Sequence, residues 1–109
     1  MNIEYEKLKR FIYEVLISEG VDEFSSRSVS NGLSETSLRG TDSHGVRLFP
    51  HYLDSAINGR KNPKPNMVFS NKYPSYYTLD ADNGFGHAAG FKAIDKAIEV
   101  ADKNGICAV

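Results

Sequence analysis

One cysteine, no tryptophan and no excess of either charge characterise this 109-residue chain. The lone Cys107 excludes an internal disulfide and fits a reducing, cytoplasmic setting. It stands in the apolar run ICAV, Ile106 to Val109, where it reads as a small hydrophobe rather than a nucleophile. With 13 basic and 14 acidic residues, the net charge of −1 gives no support to nucleic-acid binding by bulk charge. No apolar run approaches the roughly 18 residues of a membrane-crossing helix. The start, MNIEYEKLKR, carries acids early and has no apolar signal core. What remains, 40% hydrophobic and 25% charged, is the balance of a soluble globular domain with a modest core.

Periodicity supplies the elements. Ile3, Leu8, Phe11, Ile12, Val15 and Leu16 recur at helical spacing, and Gly20 offers a stop, so a helix is expected over 3–18. A second is expected over 22–38, with Asp22 as its N-cap. It is the weaker signal, because apolar positions are sparse and Gly32 lowers helix propensity. Val46, Phe49, Leu53 and Ile57 mark a third, from near His44 or Gly45 to Asn58, with Gly59 at its end. Pro50 places its start, or a kink, close to that residue. GRKNPKPNM reads as a linker, followed by strand character in MVF and in YYTL, Tyr76 to Leu79. DADNG, Asp80 to Gly84, is turn-like. A fourth helix, over 86–103, carries Phe91, Ile94, Ala97, Ile98 and Ala101 on one face and Gly105 at its end. ICAV then reads as a buried strand. The expected class is α+β: a helical segment over 1–60, then the beginning of a sheet domain with a crossover helix over 61–109. Because an apolar strand at the last residue has no following partner, the simplest expectation is the front piece of something longer.

The stretch LRGTDSHGVRLFPHYL, Leu38 to Leu53, concentrates the chemistry. His44, Arg47 and His51 are spaced i, i+3 and i+7, and Tyr52 lies at the edge of the same helical face. Histidine exchanges a proton near neutral pH. Arginine holds a carboxylate through two parallel hydrogen bonds. Ser43 can hydrogen-bond to a substrate oxygen. Together these groups suit a small carboxylate beside a polar carbon that gains or loses a proton. The plainer alternative is that Asp42 or Ser43 caps the helix, Arg47 is a solvated charge, and His51 and Tyr52 are packing residues. Asp42 and His44 have no third ligand spaced to join them, so no metal is expected.

RGTDSHGVRLFPHYL, NGRKNPKP and LDADNGFGHAAG, in that order and spacing, resemble the malate/L-lactate dehydrogenase family of type 2. The resemblance runs from near the N-terminus to Val109. It implies an NAD(P)-dependent oxidoreductase that interconverts 2-hydroxy and 2-oxo acids, moving hydride between nicotinamide and the substrate carbon. It gives His44 the role of proton donor. It assigns Ser43 to holding substrate and histidine, Arg47 to the substrate carboxylate, and Tyr52 to a place near the substrate. Several members carry the arginine one residue later, where this chain has Leu48. The resemblance also implies a homodimer and a family-specific fold rather than the Rossmann fold. That implication bears on Gly84, Gly86 and Ala89, which satisfy G-x-G-x-x-A. DADN intervenes between strand and glycine, and no acid ends the next strand for a ribose, so these residues read as turn and packing residues. Family members continue well beyond this length, to a second histidine, a lysine and an aspartate of the site, and the main cofactor contacts. The cofactor-binding residues are therefore unknown here, and the isolated chain is expected to be inactive. The rival expectation is a non-catalytic helical interaction module derived from such an enzyme.

Overall fold

A computed structural model describes residues 1–109. Helix α1 is Tyr5–Ser18, and its buried positions Ile12 and Leu16 are one turn apart. Helix α2 is Glu23–Leu38. Its first turn is closed as expected: the Asp22 carboxylate accepts a hydrogen bond of 2.7 Å from the Ser25 amide. Asp22→Ala should destabilise the fold by about 1 kcal/mol. Urea denaturation with an unchanged midpoint would show that solvent satisfies that amide equally well.

The buried face of α2 is made largely of serine: Ser25, Ser26, Ser28, Ser30 and Ser34 are all buried. Such a face has little hydrophobic signal, yet it packs closely. Several hydroxyls donate back to the chain's own carbonyls, Ser28 to Phe24 O at 2.8 Å and Ser30 to Arg27 O at 3.0 Å, so they can be buried at little cost. Small side chains let both α1 and α4 pack closely against α2. The Tyr5 hydroxyl adds a bond from α1, donating to Glu35 Oε1 at 2.6 Å.

Two 3-10 turns, Asp42–His44 and Val46–Leu48, lead into helix α3, Phe49–Ile57. A helix beginning at His44 or Gly45 is therefore not formed. The start lies beside Pro50, which occupies the first turn, where its missing N–H is not needed. Strands β1, Val68–Tyr73, and β2, Tyr76–Asp80, form an antiparallel hairpin pairing Val68 with Asp80 and Asn71 with Tyr77. Helix α4, Gly86–Asn104, ends at Gly105, whose φ of 84° is the left-handed conformation of a helix C-cap. The Lys96 ammonium lies 5.4 Å from the Phe69 ring centre and 5.7 Å from that of Tyr77, tying α4 to the hairpin.

One expectation about the last segment is corrected. ICAV is not a buried strand: it contributes one parallel bridge, Ala108 opposite Tyr76, and Ile106 is 70% exposed. Only Ala108 reaches the hairpin edge, bonding Ser75 O and Tyr77 N at 2.9 Å each. The apolar line along α4 forms one face as expected, but that face is largely exposed. Ala88 and Val100 are buried, while Phe91, Ile94 and Ile98 are exposed. The helix meets α2 through its N-terminal turns, and this turns the apolar line away from the core. That core is one cluster: Ile12, Leu16, Val21, Val29, Leu33, Phe49, Ala56, Phe85 and Ala88.

Candidate functional site

The DSHG segment is pinned to the end of α2. Beyond Leu38 the chain turns at Gly40, and the Thr41 amide still donates to Thr36 O at 3.1 Å. The His44 amide then donates to Thr41 O at 3.2 Å, closing the first 3-10 turn. Ser37 Oγ accepts a 2.8 Å bond from the Val46 amide. Between them, Gly45 lies so close to α2 that a Cβ there would stand 3.0 Å from the Ser37 backbone nitrogen and 3.1 Å from its Cα. Only glycine allows this approach, which explains the residue type after His44 without appeal to chemistry.

On this turn Ser43 Oγ lies 2.9 Å from His44 Nδ1, and both side chains are exposed. One face of the imidazole is thus engaged, while its Nε2 has no partner in the chain. When Nδ1–H donates to the hydroxyl, the neutral ring leaves the Nε2 lone pair free to take up a proton, which the imidazolium can return. The pair can then deliver or accept a proton at a molecule bound outside.

The single helical face expected to carry His44, Arg47 and His51 does not exist. Gly45 is extended, with φ −98° and ψ −145°, and separates the two turns. The three residues fall on the first turn, the second turn and α3. Arg47 is exposed and makes no ion pair or hydrogen bond, so its guanidinium is available to an anion. Tyr52 is half-buried among rings, with centroids 5.8 Å from His51, 6.2 Å from Phe85 and 5.2 Å from His87. The structure therefore joins Ser43 to His44, but no hydrogen bond links either Arg47 or Tyr52 to that pair.

His87 was not singled out by spacing. Its signal was being the third histidine, inside GFGHAAG at the start of α4. Burial pushes its pKa below the ordinary histidine value, and Nδ1 is buried without a hydrogen-bond partner in the chain.

No three His, Cys, Asp or Glu side chains converge to hold a metal ion, and no helix is long and apolar enough to cross a membrane. The G-x-G-x-x-A stretch does not build a pyrophosphate cradle. Gly84 is buried, and a Cβ on it would stand 2.8 Å from Pro65 Cγ and 2.9 Å from Met67 Cε, so the linker already fills that space. Asp82 and Asn83, at φ 49° and 54°, form the turn before it, and the preceding β2 is antiparallel rather than part of a parallel sheet. This glycine stretch does not fit the pyrophosphate of a dinucleotide.

Comparison with known proteins agrees with this architecture. A model of the malate/L-lactate dehydrogenase family matches residues 3–109. Malate dehydrogenase of Pyrococcus abyssi is 38% identical over 106 residues, covering 97% of this chain and 29% of that protein. Among solved structures, malate dehydrogenase from Pyrococcus horikoshii superposes with a TM-score of 0.91 at 33% identity, over 96% of this chain and 30% of the other. Sulfolactate dehydrogenase from Methanocaldococcus jannaschii gives 0.89 at 32% identity, over 95% of this chain and 30% of the other. The chain thus spans about 30% of the length of the proteins it matches. A helix-rich α+β unit with its DSHG turn held against α2, matched by the family over nearly its whole length, belongs to the malate/L-lactate dehydrogenase family.

Proposed function

We propose that these residues form the proton-donating and carboxylate-binding side of a nicotinamide-dependent oxidoreductase interconverting 2-hydroxy and 2-oxo acids. The observation that carries this reading is the Ser43–His44 contact of 2.9 Å, which engages Nδ1 on an exposed turn and leaves Nε2 without a partner in the chain. In reduction, His44 as the imidazolium gives its Nε2 proton to the oxygen that becomes the hydroxyl and is left neutral, while its Nδ1–H donates to Ser43 Oγ, which holds the ring. Arg47, unpaired in the chain, takes the substrate carboxylate, and Tyr52 lines the substrate side. NAD or NADP serves as cofactor, bound by residues other than these. A cytoplasmic homodimer acting on small acids is part of the same proposal, which includes neither nucleic-acid nor membrane binding.

The test is consumption of NADH and of NADPH by the protein purified from its own cells, with oxaloacetate, pyruvate and sulfopyruvate offered in turn. Turnover of at least one 2-oxo acid is expected. No turnover with any of them, in a folded preparation, would remove the reading. In the active protein, Arg47→Lys should raise the Michaelis constant roughly 10- to 100-fold with a smaller change in kcat, since a hydrogen bond to a charged group contributes about 1.5–3 kcal/mol. An unchanged constant would make Arg47 a surface charge.

A second reading, a non-catalytic helical interaction module, is favoured by the exposed Phe91, Ile94 and Ile98 of α4. It predicts no response to reduced nicotinamide or 2-oxo acids together with self-association at micromolar concentration.

A further inference from the structure

His87 occupies a place where three helices meet. It belongs to the first turn of α4. One edge of its ring, Cδ2 and Nε2, lies against Gly32 of α2: a Cβ on that glycine would stand 3.0 Å from Nε2 and 3.3 Å from Cγ, and would overlap Cδ2. Gly32, which weakens α2 as a helix, is the gap that admits the imidazole. On its other side the ring meets Tyr52 of α3, edge to face, with an interplanar angle of 75°. At 5.2 Å this is the shortest of the three ring contacts of Tyr52. The Tyr52 hydroxyl makes no hydrogen bond in the chain and is not a buried unpaired group, so ring packing alone directs it.

We propose that His87 is a positioning residue: seated in the Gly32 gap, its ring fixes the edge on which Tyr52 rests and so sets where the Tyr52 hydroxyl meets a bound acid. The last clause rests on the reading of Tyr52 given above; the packing claim does not. The chemistry of the histidine supports a packing role. Burial disfavours its charged form, and Nδ1 bonds nothing in the chain. What the position uses is a flat ring with one edge slim enough for a glycine-sized gap. Phe85 contacts Tyr52 from the adjoining residue pair but belongs to the core cluster, so it anchors the ring's inner end.

The experiment places 3-fluorotyrosine in the chain, assigns the Tyr52 fluorine resonance by Tyr52→Phe, and compares the parent with His87→Leu and Gly32→Ala. Loss of the ring edge in the first, and its displacement by a methyl group in the second, should each move or broaden the Tyr52 resonance while the other tyrosines hold. Because Gly32→Ala acts through His87, the thermal midpoint it loses should be largely restored in Gly32→Ala/His87→Ala. If one variant fails to fold, the other still reports on the same contact. An unmoved Tyr52 resonance, or a Gly32→Ala loss that is undiminished without the histidine, overturns the proposal. In the active enzyme His87→Leu should raise the Michaelis constant for the 2-oxo acid several-fold with kcat little changed; an equal loss in kcat alone overturns the positioning role. Adding oxamate, an unreactive 2-oxo acid mimic, to the parent separates the two readings. A silent Tyr52 resonance there counts against its substrate role, whereas the variants decide the role of His87.

Discussion

His44→Ala is expected to lower kcat for 2-oxo acid reduction by about 10²- to 10⁴-fold, the usual contribution of a positioned general acid. The fold should be untouched. His44 is exposed on a 3-10 turn, and its one side-chain hydrogen bond is the 2.9 Å approach of Ser43. The turn itself is held by backbone bonds that alanine keeps, from the His44 amide to Thr41 and from the Gly45 amide to Asp42. Activity and stability should therefore separate cleanly: a large fall in turnover at an unchanged thermal midpoint. Ser43→Ala should fall less far, because it loosens the ring without removing the proton. Turnover retained in His44→Ala would assign the proton to another group.

Phe85→Ala should be the most damaging single change to stability, by about 3–5 kcal/mol. Phe85 is fully buried and is the largest such side chain in the chain. It stands immediately before α4, so its ring links that helix to the core of α1, α2 and α3 and to the face of Tyr52. Removing it takes the largest side chain out of the one core cluster and leaves a cavity beside Ala88, the only α4 residue in that cluster. Small domains retain only about 5–15 kcal/mol in total, so the urea midpoint should fall steeply, and the variant should bind an apolar dye at neutral pH. A loss below about 1 kcal/mol would mean that the surrounding helices close over the gap.

The helices were legible where two local signals coincided. α1 had apolar spacing and a stop at Gly20; α4 had apolar spacing and Gly105, and both formed within two residues of the expected ends. α2 was faint because its buried face is mostly serine, with only Val29 and Leu33 apolar, and serine leaves no hydropathy trace even where, as at Ser28 and Ser30, its hydroxyl bonds a backbone carbonyl. The hairpin was visible in part, since Tyr76 to Leu79 is made of aromatic, β-branched and aliphatic residues with strand character, but the polar Asn71 and Lys72 hid the length of β1. The site was legible as a motif and not as a geometry. Helical spacing put His44, Arg47 and His51 on one face, whereas the tight seat of Gly45 against Ser37 breaks the helix there. That contact is long-range in sequence, and no periodicity carries it. The same holds for His87, whose importance depends on a glycine in another helix.

The seat of Gly45 has a dynamic consequence. The hydroxyl of Ser37 and the carbonyl of Thr36, which hold the DSHG turn, both belong to the last turn of α2, and helix ends open at lower free energy than helix centres. The orientation of His44 is therefore governed by fraying at one end of one helix rather than by the stability of the whole domain. Alignment of the imidazole and melting of the core are two separate equilibria, and the first is the softer one. Warming or mild denaturant would disperse the histidine over many orientations while Phe85 and its neighbours remained packed.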